Sequence, residues 1–260
     1  MLSVDGLGFK YGRRDILRDI SFEAEGGKVI SILGPNGVGK TTLLKCLCNV
    51  HRPQSGTVSL DGEDILTLPP RDLARHIAYV PQKMQPLHST VFDYVLIGRR
   101  PYVDLFASSN DTDIAWNVIH SMDLDHLATK YMDSISGGEF QKVQIARALT
   151  QDPDVLILDE PTSSLDMSNA YRSMRMIHDS VRNENICTIM TMHDFNLAAC
   201  FSDRFIFMKD GRICRSGGKE IISSGLIKEV YGIDMEVVES GGKPYVVPVA
   251  ETRVASDGAV

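Results

Sequence analysis

Val29-Ile30-Ser31-Ile32-Leu33-Gly34-Pro35-Asn36-Gly37-Val38-Gly39-Lys40-Thr41-Thr42-Leu43-Leu44 decides the fold of this chain. Val29 to Leu33 is apolar without alternation, the pattern of a strand buried on both faces in a parallel sheet. The run breaks at Gly34 into a loop, Gly34 to Thr41, that fits G-x-x-x-x-G-K-[ST], and Leu43, Leu44 and Leu47 then recur at helical spacing. Strand, glycine loop and helix in that order form a phosphate cradle. Its glycines let consecutive backbone N–H groups turn toward one anion, and the helix N-terminus adds partial positive charge. Lys40 is expected over the β- and γ-phosphates of a nucleotide, and the Thr41 hydroxyl in the shell of a magnesium ion.

A second apolar run, Val155-Leu156-Ile157-Leu158, ends abruptly in Asp159-Glu160. Ligands of open α/β sheets bind at the carboxyl edge of the strands, so both acids are expected beside the phosphate loop. Asp159 is suited to hold magnesium through water, and Glu160 to polarise a water that attacks the γ-phosphate. Alone, such a pair reads as exposed strand-end acids; coupled to a phosphate loop it reads as chemistry.

The 260 residues carry 27 basic and 34 acidic side chains, a net charge of −7, with 43% hydrophobic and 23% charged residues. That composition is globular and excludes collagen, fibre and intrinsic disorder. No apolar run reaches the roughly 18 to 20 residues that cross a bilayer. Met1 to Gly6 alternates like a strand rather than opening a signal peptide, so export is not expected. The acidic balance argues against a nucleic-acid partner. Cys46, Cys48, Cys187, Cys200 and Cys214 include no C-x-x-C pair and read as buried thiols of a reducing compartment. Arg13-Arg14 and Arg99-Arg100 read as solvated surface pairs.

Working outward, Ile20, Phe22 and Ala24 alternate as a half-buried strand, Thr57 to Gly62 reads as a strand entering a turn, Asp72 to His76 as a short helix and Ile77 to Val80 as a strand. From about Val91 to Leu149 the apolar spacing turns helical, which marks a mainly helical insert. Strand and helix then alternate again: a helix from about Ser168 to Arg182, a strand from Ile186 to Met192, a short helix from Phe195 to Cys200 and a strand from Phe205 to Met208. Such alternation implies an α/β core with a parallel sheet. Residues from about 212 to 250 read as a strand-turn extension, and Thr252 to Val260 as a loose polar tail.

Between the phosphate loop and the acidic strand lies Ile135-Ser136-Gly137-Gly138-Glu139-Phe140-Gln141. A serine and two glycines at a helix start form a second anion-binding device. Here the sequence resembles an ATP-binding cassette (ABC) ATPase, whose signature is usually L-S-G-G-Q; Ile135 and Glu139 are variants of its first and fifth places. The resemblance spans nearly the whole chain. It implies a RecA-like α/β P-loop core with an N-terminal antiparallel β portion: a cassette over residues 2–240, with an inserted helical subdomain over about 86–150 and a short C-terminal extension and tail over 241–260.

The same resemblance implies the site. Tyr11 matches the aromatic that stacks on adenine, Gln82 the glutamine loop, Ser164-Leu165-Asp166 the loop after the acidic strand and His193 the histidine that contacts γ-phosphate. ATP is expected on Tyr11, on Gly34, Pro35, Asn36, Gly37, Gly39, Lys40, Thr41 and Thr42, and on Ser136, Gly137, Gly138 and Asp166. Glu160, His193 and Gln82 are expected to be catalytic, with Mg2+ on Thr41, Gln82 and Asp159. In the family two cassettes pair head to tail, so Ser136 and Gly138 of one copy complete the site of the other. The cassettes drive integral membrane permeases at the cytoplasmic face of the membrane, served indirectly by a substrate-binding protein.

The run from Val91 to Phe106, with Gly98-Arg99-Arg100-Pro101-Tyr102 inside it, looks like the importer ATPases for iron chelates, haem and vitamin B12. Ordinary helix-and-turn packing is the competing reading of that run. Soluble cassette proteins of DNA repair, an exporter subunit and an unrelated P-loop kinase are alternatives. The first carries long coiled-coil insertions that this chain lacks, and the last leaves Ser136-Gly137-Gly138 unexplained.

Overall fold

The computed structural model describes residues 1–249, so the tail expected over Thr252 to Val260 lies outside the described residues. In chain order the elements are β1 (Leu2–Tyr11), β2 (Arg14–Ala24), β3 (Val29–Leu33), α1 (Lys40–Leu47), β4 (Ser55–Leu60), β5 (Glu63–Asp64), α2 (Pro70–His76) and β6 (Ile77–Val80). Three helices follow, α3 (Val91–Leu96), α4 (Ser109–Ser121) and α5 (Gly137–Thr150). Then come β7 (Val155–Asp159), α6 (Met167–Asn183), β8 (Cys187–Thr191), α7 (Phe195–Phe201), β9 (Arg204–Lys209), β10 (Arg212–Gly217), α8 (Ser224–Tyr231), β11 (Met235–Ser240) and β12 (Lys243–Pro248).

The central sheet has six strands in the order β10-β9-β3-β8-β7-β6, parallel except for the antiparallel edge strand β10. An antiparallel sheet, β2-β1-β4-β5, covers one face. Every residue of β3, β7 and β8 is buried, and the pleat divides them between two cores. Ile30, Ile32, Val155 and Ile157 pack with α1 and the antiparallel sheet, whereas Val29, Leu33, Leu156 and Leu158 pack with the helices of the opposite face. A run without alternation is therefore two alternating runs, each with a partner. Fully burying one such side chain stabilises the fold by about 1.5–3 kcal/mol.

Register then sets the site. Thr191, the last residue of β8, pairs with Ile32 on one side and with Asp159 on the other. The carboxyl ends of β3, β8 and β7 thus reach one edge together, where the loops they feed must meet.

On the opposite face, Gly98 lets the turn after α3 approach α5 closely, since a Cβ there would stand 2.3 Å from the Arg147 carbonyl oxygen. Its neighbour Arg99 is buried, contrary to the expectation of a solvated pair. Its guanidinium donates to Asp111 Oδ1 at 3.0 Å and to the Thr150 carbonyl at 3.1 Å, and lies 4.0 Å from the centre of the Tyr102 ring. Pro101 accepts from Arg71 and Arg75. Most of the Gly98–Tyr102 run is packing; its exposed continuation is Leu105 and Phe106, 78% and 84% accessible.

The segment after β10 departs from a simple strand-turn extension, because it contains α8. Ser223 caps that helix through Leu226 N–H, Gly232 ends it at φ +73°, and Leu226, Ile227 and Val230 bury its inner face. The strand-turn pattern appears after it, where β11 and β12 form a hairpin across Gly241-Gly242 with both glycines at positive φ. All five cysteines are free thiols, and burial pushes Cys46 and Cys187 up to about 12.

Candidate nucleotide site

The loop after β3 is held by its glycines. Gly34 has φ +151°, and a Cβ there would fall 2.3 Å from the Met208 carbonyl oxygen, so no larger residue fits. Gly39, at φ +106°, stands at the N-cap of α1 and offers no side-chain cap. The first-turn N–H groups of α1 are therefore left for a ligand. Lys40 is buried, and Nζ donates to the carbonyls of Gly34 at 2.6 Å and Pro35 at 3.1 Å. Burial depresses its pKa, opposed by the Glu160 and Asp159 carboxylates.

At the end of β7 the two acids divide. Asp159 Oδ1 accepts hydroxyls from Thr191 at 2.7 Å and Thr41 at 3.1 Å. Glu160 has left the strand at φ +50°, a conformation that is uncommon outside glycine and strained for a side chain of this length. Its N–H donates to Thr191 Oγ1 at 2.9 Å, which fixes the turn. The Glu160 carboxylate then meets two partners, the Gln82 side-chain amide from the loop after β6 and His193 Nε2 from the loop after β8. Three strand ends converge on one carboxylate.

A cavity of about 290 Å3 opens here, lined by Arg14, Gly37, Lys40, Thr41, Thr42 and Glu160 among others. A larger one of about 640 Å3 adjoins it, sharing Arg14, Ile16, Asn36 and Gly37 and including Pro35 and Lys209. The Thr41 hydroxyl and Asp159 carboxylate provide hard oxygen donors side by side, which fit Mg2+.

Five expected contacts, Tyr11, Ser136, Gly137, Gly138 and Asp166, stand apart from this cavity within one chain. Tyr11 forms an aromatic group with Phe9 and His51, its hydroxyl 2.7 Å from His51 Nε2, and lines neither cavity. Ser136 caps α5, with its hydroxyl 2.7 Å and its N–H 2.8 Å from Glu139 Oε2, a capping box that holds the Glu139 carboxyl below its ordinary range. Gly137 lines a separate cavity with Gln82, Phe140 and Ser164. Asp166 caps α6 through Asn169 N–H at 2.9 Å, and Asn169 in turn borders Gly138. Sequence reasoning passed over Thr191, a buried strand residue with no motif to mark it; Arg14 is exposed, as read, and borders both cavities.

A glycine cradle, a buried lysine and a strand-end acid on a mainly parallel sheet define a P-loop nucleoside triphosphatase. The chain belongs to the ABC transporter family, whose model matches residues 17–163. It is 46% identical over 249 residues to the uncharacterized ABC transporter ATP-binding protein MJ0089 of Methanocaldococcus jannaschii, covering 96% of this chain and 98% of that one. It is 34% identical to the iron(3+)-hydroxamate import ATP-binding protein FhuC of Bacillus subtilis, covering 91% of this chain and 90% of FhuC. Among solved structures it matches one described as a metal-chelate type ABC transporter in an inward-facing conformation, with a TM-score of 0.83 and 28% identity over 96% of this chain and 98% of that one. The fold is the ABC ATPase cassette.

Proposed function

We propose that this chain is the ATP-hydrolysing subunit of an importer for an iron(III) chelate or a related metal chelate such as haem or cobalamin. The convergence of Gln82 and His193 on the Glu160 carboxylate, beside Lys40, carries the ATPase reading. Glu160 orients a water and accepts its proton as it attacks the γ-phosphate, and Gln82 and His193 hold that carboxylate in place while His193 contacts the γ-phosphate. Lys40 and the free N–H groups of α1 neutralise the phosphate chain, with Pro35, Asn36 and Thr42 in the same cradle. Thr41, Asp159 and Gln82 are the residues to hold Mg2+, which would neutralise charge on the β- and γ-phosphate oxygens when bound.

Residues 2–240 act as one cassette, with about 86–150 as its inserted subdomain. Two copies face each other, so that Ser136, Gly137, Gly138 and Asp166 of one close on the nucleotide of the other, with adenine on Tyr11. The separation of α5's N-terminus from the phosphate cavity of its own chain supports this arrangement. In such a pair Glu139 must release the Ser136 hydroxyl for the incoming phosphate.

No helix among the described residues is long and apolar enough to cross a membrane. The pair works at the cytoplasmic face beneath separate permease subunits, which a substrate-binding protein loads from the far side. Likeness to FhuC and to the metal-chelate transporter supports the cargo class. The test is reconstitution with the permease and Mg-ATP: ATP-dependent uptake of a ferric siderophore, haemin or cobalamin is expected, and outward movement or indifference to all three contradicts the cargo reading.

A further inference from the structure

Arg14 opens β2 directly across from Tyr11 in the β1–β2 register, at a turn made by Gly12 at φ +59°. Its position is fixed from behind. Arg18 N–H donates to the Gly211 carbonyl at 2.8 Å, and Gly39 sits so close to β2 that a Cβ there would stand 3.1 Å from the Ile16 carbonyl oxygen. The first residues of β2 are thus pressed against the phosphate loop.

Arg14 lines both the phosphate cavity and the larger cavity beside it, whereas Arg13 and Arg18 line only the larger one. Of the other cations nearby, Arg13 also lacks a side-chain partner among the described residues but lines only the larger cavity, and the rest are engaged. Lys10 and Arg18 share Asp15, at 2.9 and 3.7 Å, and Lys209 Nζ donates to the Glu229 carbonyl at 2.5 Å. Arg14 has neither an ion-pair nor a side-chain hydrogen-bond partner among the described residues. Within the phosphate cavity the cations are Arg14 and Lys40, and the Lys40 ammonium is divided between two carbonyls.

A guanidinium presents donors in a planar fork that matches two phosphate oxygens, and in a cleft bordered by protein it is screened less than on an open surface. We infer that Arg14 is a further nucleotide-binding residue, placing its guanidinium on the phosphate chain at the junction of the two cavities and favouring nucleotides with more phosphates. The inference rests on the ATPase reading and adds to it a residue that the glycine loop does not contain.

The experiment measures dissociation constants of ATP, ADP and AMP by titration calorimetry for the wild type, Arg14→Ala, Arg14→Lys and Arg13→Ala, at low and high salt. Arg14→Ala should weaken ATP about tenfold, ADP less, and AMP less than twofold, in line with the loss of one partly exposed charged hydrogen-bonding group. Arg14→Lys should fall between wild type and alanine, Arg13→Ala should stay within about twofold, and the Arg14→Ala deficit should shrink as salt rises. Circular dichroism confirms that each variant is folded, and Arg14→Lys repeats the test should alanine not fold. Equal loss for ATP and AMP, equal loss in the Arg13 and Arg14 variants, or unchanged ATP binding overturns the assignment. A wild-type chain that binds no nucleotide overturns the ATPase reading, and this inference with it.

Discussion

Thr191 and Asp159 end neighbouring strands, and the Thr191 hydroxyl donates to Asp159 Oδ1 at 2.7 Å while accepting the Glu160 N–H at 2.9 Å. One buried hydroxyl thereby orients both acids at the edge of the sheet. Thr191→Val keeps the shape and removes the bridge, leaving an N–H and a carboxylate oxygen without that partner. The expected cost is about 1–3 kcal/mol of stability, seen as a lower thermal midpoint, together with a fall of about tenfold or more in ATP turnover from a looser Glu160.

Glu160→Gln keeps the size of the side chain and removes its capacity to accept a proton. ATP binding should remain within a few-fold of wild type while kcat falls by about 10²–10⁴. Equilibrium binding beside steady-state hydrolysis separates the two effects; hydrolysis at the wild-type rate would take the role of base away from Glu160.

Ser136→Arg places a bulky cation at the start of α5, away from the chain's own phosphate cavity. Nucleotide affinity of a dilute single chain should stay within about twofold, because none of the groups on Lys40 or Thr41 is touched. Hydrolysis at concentrations that permit pairing should be lost. A matching loss of affinity would place Ser136 in the site of its own chain.

Acid stability tests the helical layer. The Ser108 side-chain and backbone bonds, and after them Arg99, hold the Asp111 carboxyl below its ordinary range. A depressed folded-state pKa means that this stabilisation is complete above the unfolded carboxyl value and is lost as pH falls through the lower folded one. Asp111→Asn should cost about 3–5 kcal/mol near neutrality by leaving Arg99 buried without its partner. The gap from wild type should close as denaturation midpoints are followed below about pH 4. A gap that stays constant with pH would assign the effect to packing.

What could be read from the sequence follows from range. Gly34 to Thr42 carry their geometry locally, since positive φ, the helix start and the lysine lie within nine residues. The end of β7 was equally legible, because an apolar run that stops in two acids has one edge to reach. The roles of Gln82 and His193 came only from family likeness, and their meeting at Glu160 depends on the order β8-β7-β6, which no local pattern encodes. Helix α8 was missed because its amphipathic face is short and begins Ser224-Gly225, poor helix formers that read as turn. Arg99 looked like surface and proved buried because its partner Asp111 lies across a turn, on the first turn of α4. Arg13-Arg14 looked like one feature, and the β1–β2 hairpin divides it.

Sedimentation of Glu160→Gln with and without ATP is the most direct test of a site shared between two copies. Single chains without nucleotide, pairs with ATP, and single chains again once Ser136→Arg is added to the same background are the predicted results. ATP bound stoichiometrically to Glu160→Gln chains that stay single at every concentration, or pairs that survive Ser136→Arg unchanged, would contradict it.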